Sequence, residues 1–127
     1  MTNVVMDSSA VLALLYDEPG KDIVAAHSKG GQLLSVNLSE ILTRVIDKNG
    51  DPVGVRKLIA RLEIEIVDFD EELAAETARL RQDTQIIGAS LGDRACLALA
   101  KSRRRAVLTA DKLWDKLDVA IDIRQIR

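Results

Sequence analysis

Asp7, Glu40, Asp93 and Asp111 are the residues whose type and setting could do chemistry. Asp7 ends the apolar run Val4-Val5-Met6. Glu40 lies in Asn37-Leu38-Ser39-Glu40, at a helix start that follows a second apolar run. Asp93 sits in the first turn of a helix opened by Ser90, and Asp111 follows the run Ala106–Thr109. Each acid has a local explanation. Asp7 and Asp111 have the setting of helix N-caps. Asn37-x-x-Glu40 and Ser90-x-x-Asp93 have capping-box spacing, in which the third residue's acid bonds back to the cap amide, and the helix dipole favours acids in first turns. As a set they say more. Two carboxylates about 5 Å apart repel by roughly 3 kcal/mol at an effective dielectric of about 20. Four together need shifted pKa values, a bound cation, or both. Oxygen-only ligation selects hard ions such as Mg²⁺ or Mn²⁺, which activate water and steady the leaving oxygen in phosphodiester hydrolysis. His27, the single histidine, lies in a polar stretch far from these acids. Cys96, the single cysteine, sits in an apolar helical run as core filler, so no zinc site can be assembled.

The elements that must position the acids alternate along the chain. Strands are expected at Val4–Met6, Gln32–Val36, Ile64–Phe69, Ala106–Thr109 and Val119–Ile123. Helices are expected over Ser9–Tyr16, Asp22–Ser28, Asn37–Lys48, Asp51 to about Leu62, Asp70–Asp83, Leu91–Ser102 and Lys112–Leu117. Strands separated by helices imply an α/β fold of three layers, a central parallel sheet with helices on both faces. In such a sheet ligands bind beyond the carboxyl ends of the strands, and that edge is where the four acids are expected to converge, at least three within one ion's coordination shell. The 127 residues read as a single domain, 1–127, with no linker or repeat.

Composition narrows the function further. The net charge of −2 is not that of a passive nucleic-acid binder, and aromatic residues make up only 2% of the chain, too few for base-stacking platforms. There is no phosphate loop of the Walker type. A single cysteine fits a reducing compartment, and no stretch approaches the roughly 20 apolar residues of a membrane span or forms a signal peptide, so the expected location is the cytoplasm.

The segments Val4-Val5-Met6-Asp7-Ser8-Ser9, Asn37-Leu38-Ser39-Glu40-Ile41-Leu42-Thr43-Arg44, Ser90-Leu91-Gly92-Asp93-Arg94-Ala95 and Val107-Leu108-Thr109-Ala110-Asp111-Lys112-Leu113-Trp114 resemble the PIN-domain ribonucleases, most of all their bacterial VapC branch. The likeness runs through nearly the whole chain, in order. It implies a PIN-like fold and an Mg²⁺- or Mn²⁺-dependent endoribonuclease, a hydrolase acting as the toxin of a toxin–antitoxin pair. It also implies a homodimer and inhibition by a VapB-like antitoxin. Carried over, Asp7, Glu40, Asp93 and Asp111 are the metal-binding and catalytic acids. Ser8 or Ser9 and Thr109 fall where hydroxyls can hold a ligating carboxylate or metal-bound water.

Asp115, four residues after Asp111, either supports the rim of the site or is a surface acid. Arg44 and Arg94 either orient acids and meet phosphate or form ordinary helical ion pairs. Arg103-Arg104-Arg105 is the densest basic run, suited to a helix C-terminus or to an RNA backbone. An apolar groove for the antitoxin is expected from Val11, Leu12, Leu14, Leu15, Tyr16 and Ile23. Two alternatives compete. One is a non-catalytic PIN-type binding module, against which the intact quartet argues. The other is a receiver-like phosphoacceptor domain, which needs an acidic pair after the first strand where Asp7 stands alone.

Overall fold

The structure, a computed structural model, describes residues 3–127. Five short strands, β1 (Val5–Met6), β2 (Gln32–Leu34), β3 (Glu65–Val67), β4 (Val107–Thr109) and β5 (Ile123–Gln125), form one all-parallel sheet in the order β3-β2-β1-β4-β5. Helices α1 (Ser8–Leu15), α2 (Lys21–Ala26), α3 (Ser35–Asp47), α4 (Pro52–Arg61), α5 (Glu71–Arg79), α6 (Arg81–Thr84) and α7 (Leu91–Arg103) connect the first four strands. The alternation of the strand residues builds the layers. Val4, Met6, Leu33 and Leu108 face one core shared with α1 to α4, whereas Val5, Leu34, Val67 and Val107 face a second core filled by α5, α7 and Trp114. The expected α/β architecture, helices on both faces of a parallel sheet, is the one observed. Its strand order differs from the 2-1-3-4-5 of flavodoxin-like receivers, which removes the phosphoacceptor reading.

Beyond end shifts of one or two residues, two expected elements change. The helix read over residues 70–83 breaks at Leu80 into α5 and α6. Thr77 and Thr84 are buried and donate back to the carbonyls of Leu73 and Leu80, an arrangement that bends helices. The last strand, read at Val119–Ile123, begins where that reading ends. The 3₁₀ turn Lys112–Lys116 sits beyond the carboxyl end of β4, so the chain must cross back to the opposite edge before a parallel neighbour can start.

Cys96 is fully buried, as expected of core filler. Of the apolar residues assigned to a partner groove, Val11 belongs to the core, Leu12, Leu14 and Leu15 are partly buried against it, and Ile23 is 43% exposed. Among the described residues no helix is long and apolar enough to cross a membrane.

Leu97, fully buried on α7, anchors the helix that carries Asp93. Leu97→Ala is expected to cost about 2–5 kcal/mol, whereas Ile86→Ser, at a side chain 75% exposed, is expected to stay within about 0.5 kcal/mol. Urea unfolding of both variants checks the assignment.

Candidate active site at the carboxyl edge of the sheet

The strand order carries the chain from β1 to one side of the sheet and later brings β4 to the other. A reversal of this kind opens a crevice beyond the carboxyl ends of the strands. Asp7 follows β1 into that crevice, its amide donating to Leu108 O at 2.9 Å. The side chain is buried, with the residue 4% exposed. Oδ2 accepts from Ser9 Oγ at 2.7 Å and from Thr109 Oγ1 at 2.9 Å. Backbone amides fix those hydroxyls in turn: Ala110 N donates to Ser9 Oγ at 2.9 Å and Asp111 N to Thr109 Oγ1 at 3.0 Å. Desolvation raises the pKa of Asp7, the two hydroxyls pull it back, and the charges of Asp93 and Glu40 raise it further, so that it stands at about 6 instead of 3.8. Of the two serines, Ser9 supplies the hydroxyl; Ser8 opens the first turn of α1.

Glu40 is exposed on α3, yet its carboxylate is held. Asn37, fully buried, donates from Nδ2 to Glu40 Oε1 at 2.9 Å and to Gly92 O at 3.1 Å, joining α3 to the first turn of α7. Asn37 Oδ1 is buried and lacks a protein partner. Helix α3 begins at Ser35, so Asn37 and Glu40 are a side-chain pair within the helix and not the capping box suggested by their spacing. Gly92 completes the arrangement: a Cβ there would stand 2.7 Å from Glu40 Cδ and 2.9 Å from Oε1. Neither Asn37 in this role nor Gly92 was evident in the sequence, although the Asn-x-x-Glu spacing was.

Asp93 does form a capping box. Its amide donates to Ser90 Oγ and its Oδ2 accepts from Ser90 N, both at 3.1 Å. Asp111 Oδ1 accepts from Leu113 N at 3.0 Å, capping the 3₁₀ turn. The local explanations of these two acids are therefore real contacts. Asp93 nevertheless lies close enough to Asp7 to raise its pKa. The thiol of Cys96 responds to the same group: burial pushes it up, and Asp7, Asp93 and Glu40 each push it further. The structure thus gathers Asp7, Glu40 and Asp93 around one volume, while Asp111 joins them through Thr109. Among the described residues no three His, Cys, Asp or Glu side chains are close enough to hold one ion. Capping contacts hold Asp93 and Asp111, and Asn37 holds Glu40, so the spacing is wider than that of a shared coordination shell.

The donor set still fits a hard divalent cation in kind, because it consists of oxygen ligands around a buried carboxylate that is costly to ionise. Mg²⁺ is usually held by one or two carboxylates with its waters retained, so Asp7 with Glu40 or Asp93 would suffice.

The supporting residues divide. Gln125, which the sequence did not single out, donates from Nε2 to Asp111 O at 2.8 Å and to Asp115 Oδ1 at 3.2 Å, tying the exposed Asp115 to the rim. Arg94 donates to Thr77 O at 3.2 Å and so ties α7 to α5. Arg44 lines a cavity of about 180 Å³ with Ser9, Leu12, Tyr16, Glu18, Lys48 and Arg127, and none of the described ion pairs joins it to Glu40.

The family model of the PIN domain matches residues 4–120. No match was found among curated proteins. Several solved structures share the fold. A toxin–antitoxin complex from Klebsiella pneumoniae superposes with a TM-score of 0.80 at 15% identity, over 98% of each chain. A DNA-bound VapBC from Salmonella typhimurium gives 0.75 at 16% identity over 100% of each. VapBC-5 from Mycobacterium tuberculosis gives 0.56 at 24% identity, over 100% of this chain and 99% of that one.

The raised pKa of Asp7 has a measurable consequence. Between pH 3.8 and about 6 the folded chain keeps a proton that the unfolded chain has lost, so stability falls as pH rises through that window and the full cost stands above it. At neutral pH the cost is of order 3 kcal/mol. In chelator-treated protein, Asp7→Asn is expected to gain stability over the parent by up to about 3 kcal/mol on going from pH 4 to pH 7. Urea titrations at the two pH values test this, and a difference that does not change with pH would refute it.

Proposed function

The chain belongs to the PIN-domain family, and from that premise we propose that it is a metal-dependent endoribonuclease acting as the toxin of a toxin–antitoxin pair. The observation that carries this reading is the buried Asp7 carboxylate at the switch point of the sheet, raised in pKa by burial and by Glu40 and Asp93. A buried acid facing two more acids is costly unless something positive shares the site.

In this reading Asp7, Glu40, Asp93 and Asp111 are the catalytic acids; Asp7 with Glu40 or Asp93 would hold the metal, and the others would add charge beside it. Mg²⁺ or Mn²⁺, when bound, supplies charge neutralisation for a scissile phosphate and lowers the pKa of water. The chain's own residues do the rest. Ser9 and Thr109 orient the Asp7 carboxylate through Oδ2. Asn37 occupies Glu40 Oε1, leaving Oε2 to accept a proton from attacking water. Asp93 and Asp111 remain on their helix starts and contribute charge.

RNA is the proposed substrate, and the cytoplasm the proposed location. The proposed partners are a VapB-like antitoxin, received beside the exposed Ile23 and the partly buried Leu12, Leu14 and Leu15 of α1 and α2, and a second copy of the chain in a homodimer. Support comes from the fold-level likeness to chains of toxin–antitoxin complexes. One observation favours the alternative of a non-catalytic PIN-type module, namely that among the described residues no three carboxylates stand close enough to hold one ion.

Incubation of the purified chain with cellular RNA and Mn²⁺, followed by mapping of 5′ ends, decides between the two. Discrete new ends that disappear with chelator support the nuclease; none would leave the binding module. Asp93→Asn, which keeps an acceptor for Ser90 N, is expected to melt near the parent temperature and to lose cleavage by orders of magnitude.

Gly92→Ala separates site from fold in the opposite direction. Alanine in a helix is favoured over glycine by about 1 kcal/mol, and the exposed end of Glu40 can swing away from the new methyl. The variant is expected to be at least as stable as the parent. Its cleavage is expected to fall by about 100-fold, the scale of a misplaced catalytic group. Added Mn²⁺ should raise the melting temperature of the parent more than that of Asp7→Asn, because an ion that binds only the folded state shifts its equilibrium.

A further inference from the structure

Helix α7 carries Asp93 at one end and Lys101 and Arg103 at the other, with Arg104 and Arg105 just beyond. Residues 104–106 lead directly into β4, so this basic run lies at the amino edge of the sheet, opposite the acids. A cavity of about 630 Å³ opens there, and its charged lining is Lys101, Arg104, Arg105, Arg124 and Asp122. Arg124 pairs with Asp122 at 2.8 Å. Among the described residues Lys101, Arg104 and Arg105 enter no ion pair.

A helix dipole accounts for cations in the last turn of α7, but not for the whole group. Arg124 comes from β5, a separate element. Arg104 is the C-cap of α7, in the left-handed region at φ 53°.

The substrate proposed above is a polyanion, and the acidic edge repels it. With aromatic residues at 2% of the chain, stacking on bases cannot supply the missing affinity, which must come from phosphates. We propose that the cationic pocket formed by Lys101, Arg104, Arg105 and Arg124 binds the phosphate backbone of the RNA substrate, away from the bond that is cut. This inference rests on the nuclease reading. The geometry permits one RNA strand to meet both places. Arg105 and Asp111 flank β4 six residues apart, about 20 Å of extended chain. The edge strand β5 links them directly, for Gln125 touches Asp111 and Asp115 while Arg124 lines the pocket.

The test measures binding by fluorescence anisotropy with the full chain in chelator, so that cleavage does not intervene. The probe is a labelled single-stranded RNA of mixed sequence and about 20 nucleotides. The variant Lys101→Ala/Arg104→Ala/Arg124→Ala removes three exposed cations and spares the half-buried Arg105. Its Kd is expected to rise by about tenfold or more. The slope of log K against log salt is expected to fall by about 0.7 for each phosphate that the variant no longer neutralises. Arg61→Ala, an exposed cation on α4 outside the pocket, serves as the charge control and should bind like the parent. On an RNA that the parent cleaves, the triple variant is expected to raise KM and leave kcat unchanged.

Parent-like affinity and salt slope in a folded triple variant would overturn the proposal, even if the parent cleaves RNA. A drop in affinity confined to duplex DNA of the same length, or to polyglutamate, would overturn it as well. Failure of the parent to cleave any RNA would instead remove the nuclease reading, a result obtained from cleavage and not from this binding assay.

Discussion

The burial of one charge organises this molecule. Asp7 leaves the central strand of the sheet into a crevice between two apolar layers, where its carboxylate has lost nearly all its water. Two hydroxyls replace part of that water, and they can do so only because amides at the end of β4 hold them. The hydrogen bonds do not fully compensate, as the pKa of about 6 records. A carboxylate kept in so costly a position requires a compensating positive charge or a rigid scaffold. The two apolar cores, which hold β1 and β4 side by side, provide the scaffold.

The remaining acids of the candidate site also hold the fold. Asp93 closes the capping box of α7, and Asp111 caps the turn after β4. Helix starts suit acids for two reasons at once, because the dipole favours negative charge there and because those starts collect at the carboxyl edge of a parallel sheet. Fold and site therefore draw on the same side chains. The exposed Glu40 is the exception, and it needs a dedicated buried asparagine and a glycine to hold its carboxylate in place.

The same helix polarity separates charge across the domain. α7 begins at an acid near Asp7 and ends in a basic run at the opposite edge. An overall charge of −2 thus conceals an acidic edge and a basic edge on opposite sides of the sheet. For a polyanionic substrate this division matters more than the net value, since phosphates feel the local field within a Debye length, about 8–10 Å in ordinary buffers.

The features legible in the sequence are those encoded within a few neighbouring residues. The alternation of apolar runs with helical periodicity determined the layered α/β class, Asp51-Pro52 marked the start of α4, and the positions of Asp7, Asp93 and Asp111 at strand ends or a helix start pointed to the candidate site, whereas Glu40 lies within α3. The order of the strands, by contrast, depends on how layers pack, and that order alone makes β1 the centre of the sheet. The hydrogen bond from Thr109 to Asp7 spans 102 residues and the one from Asn37 to Gly92 spans 55; no local pattern carries either. The same holds for the late start of β5 and for the break at Leu80. Both follow from where the chain must travel to complete its cores, and that is decided only when all the layers are in place.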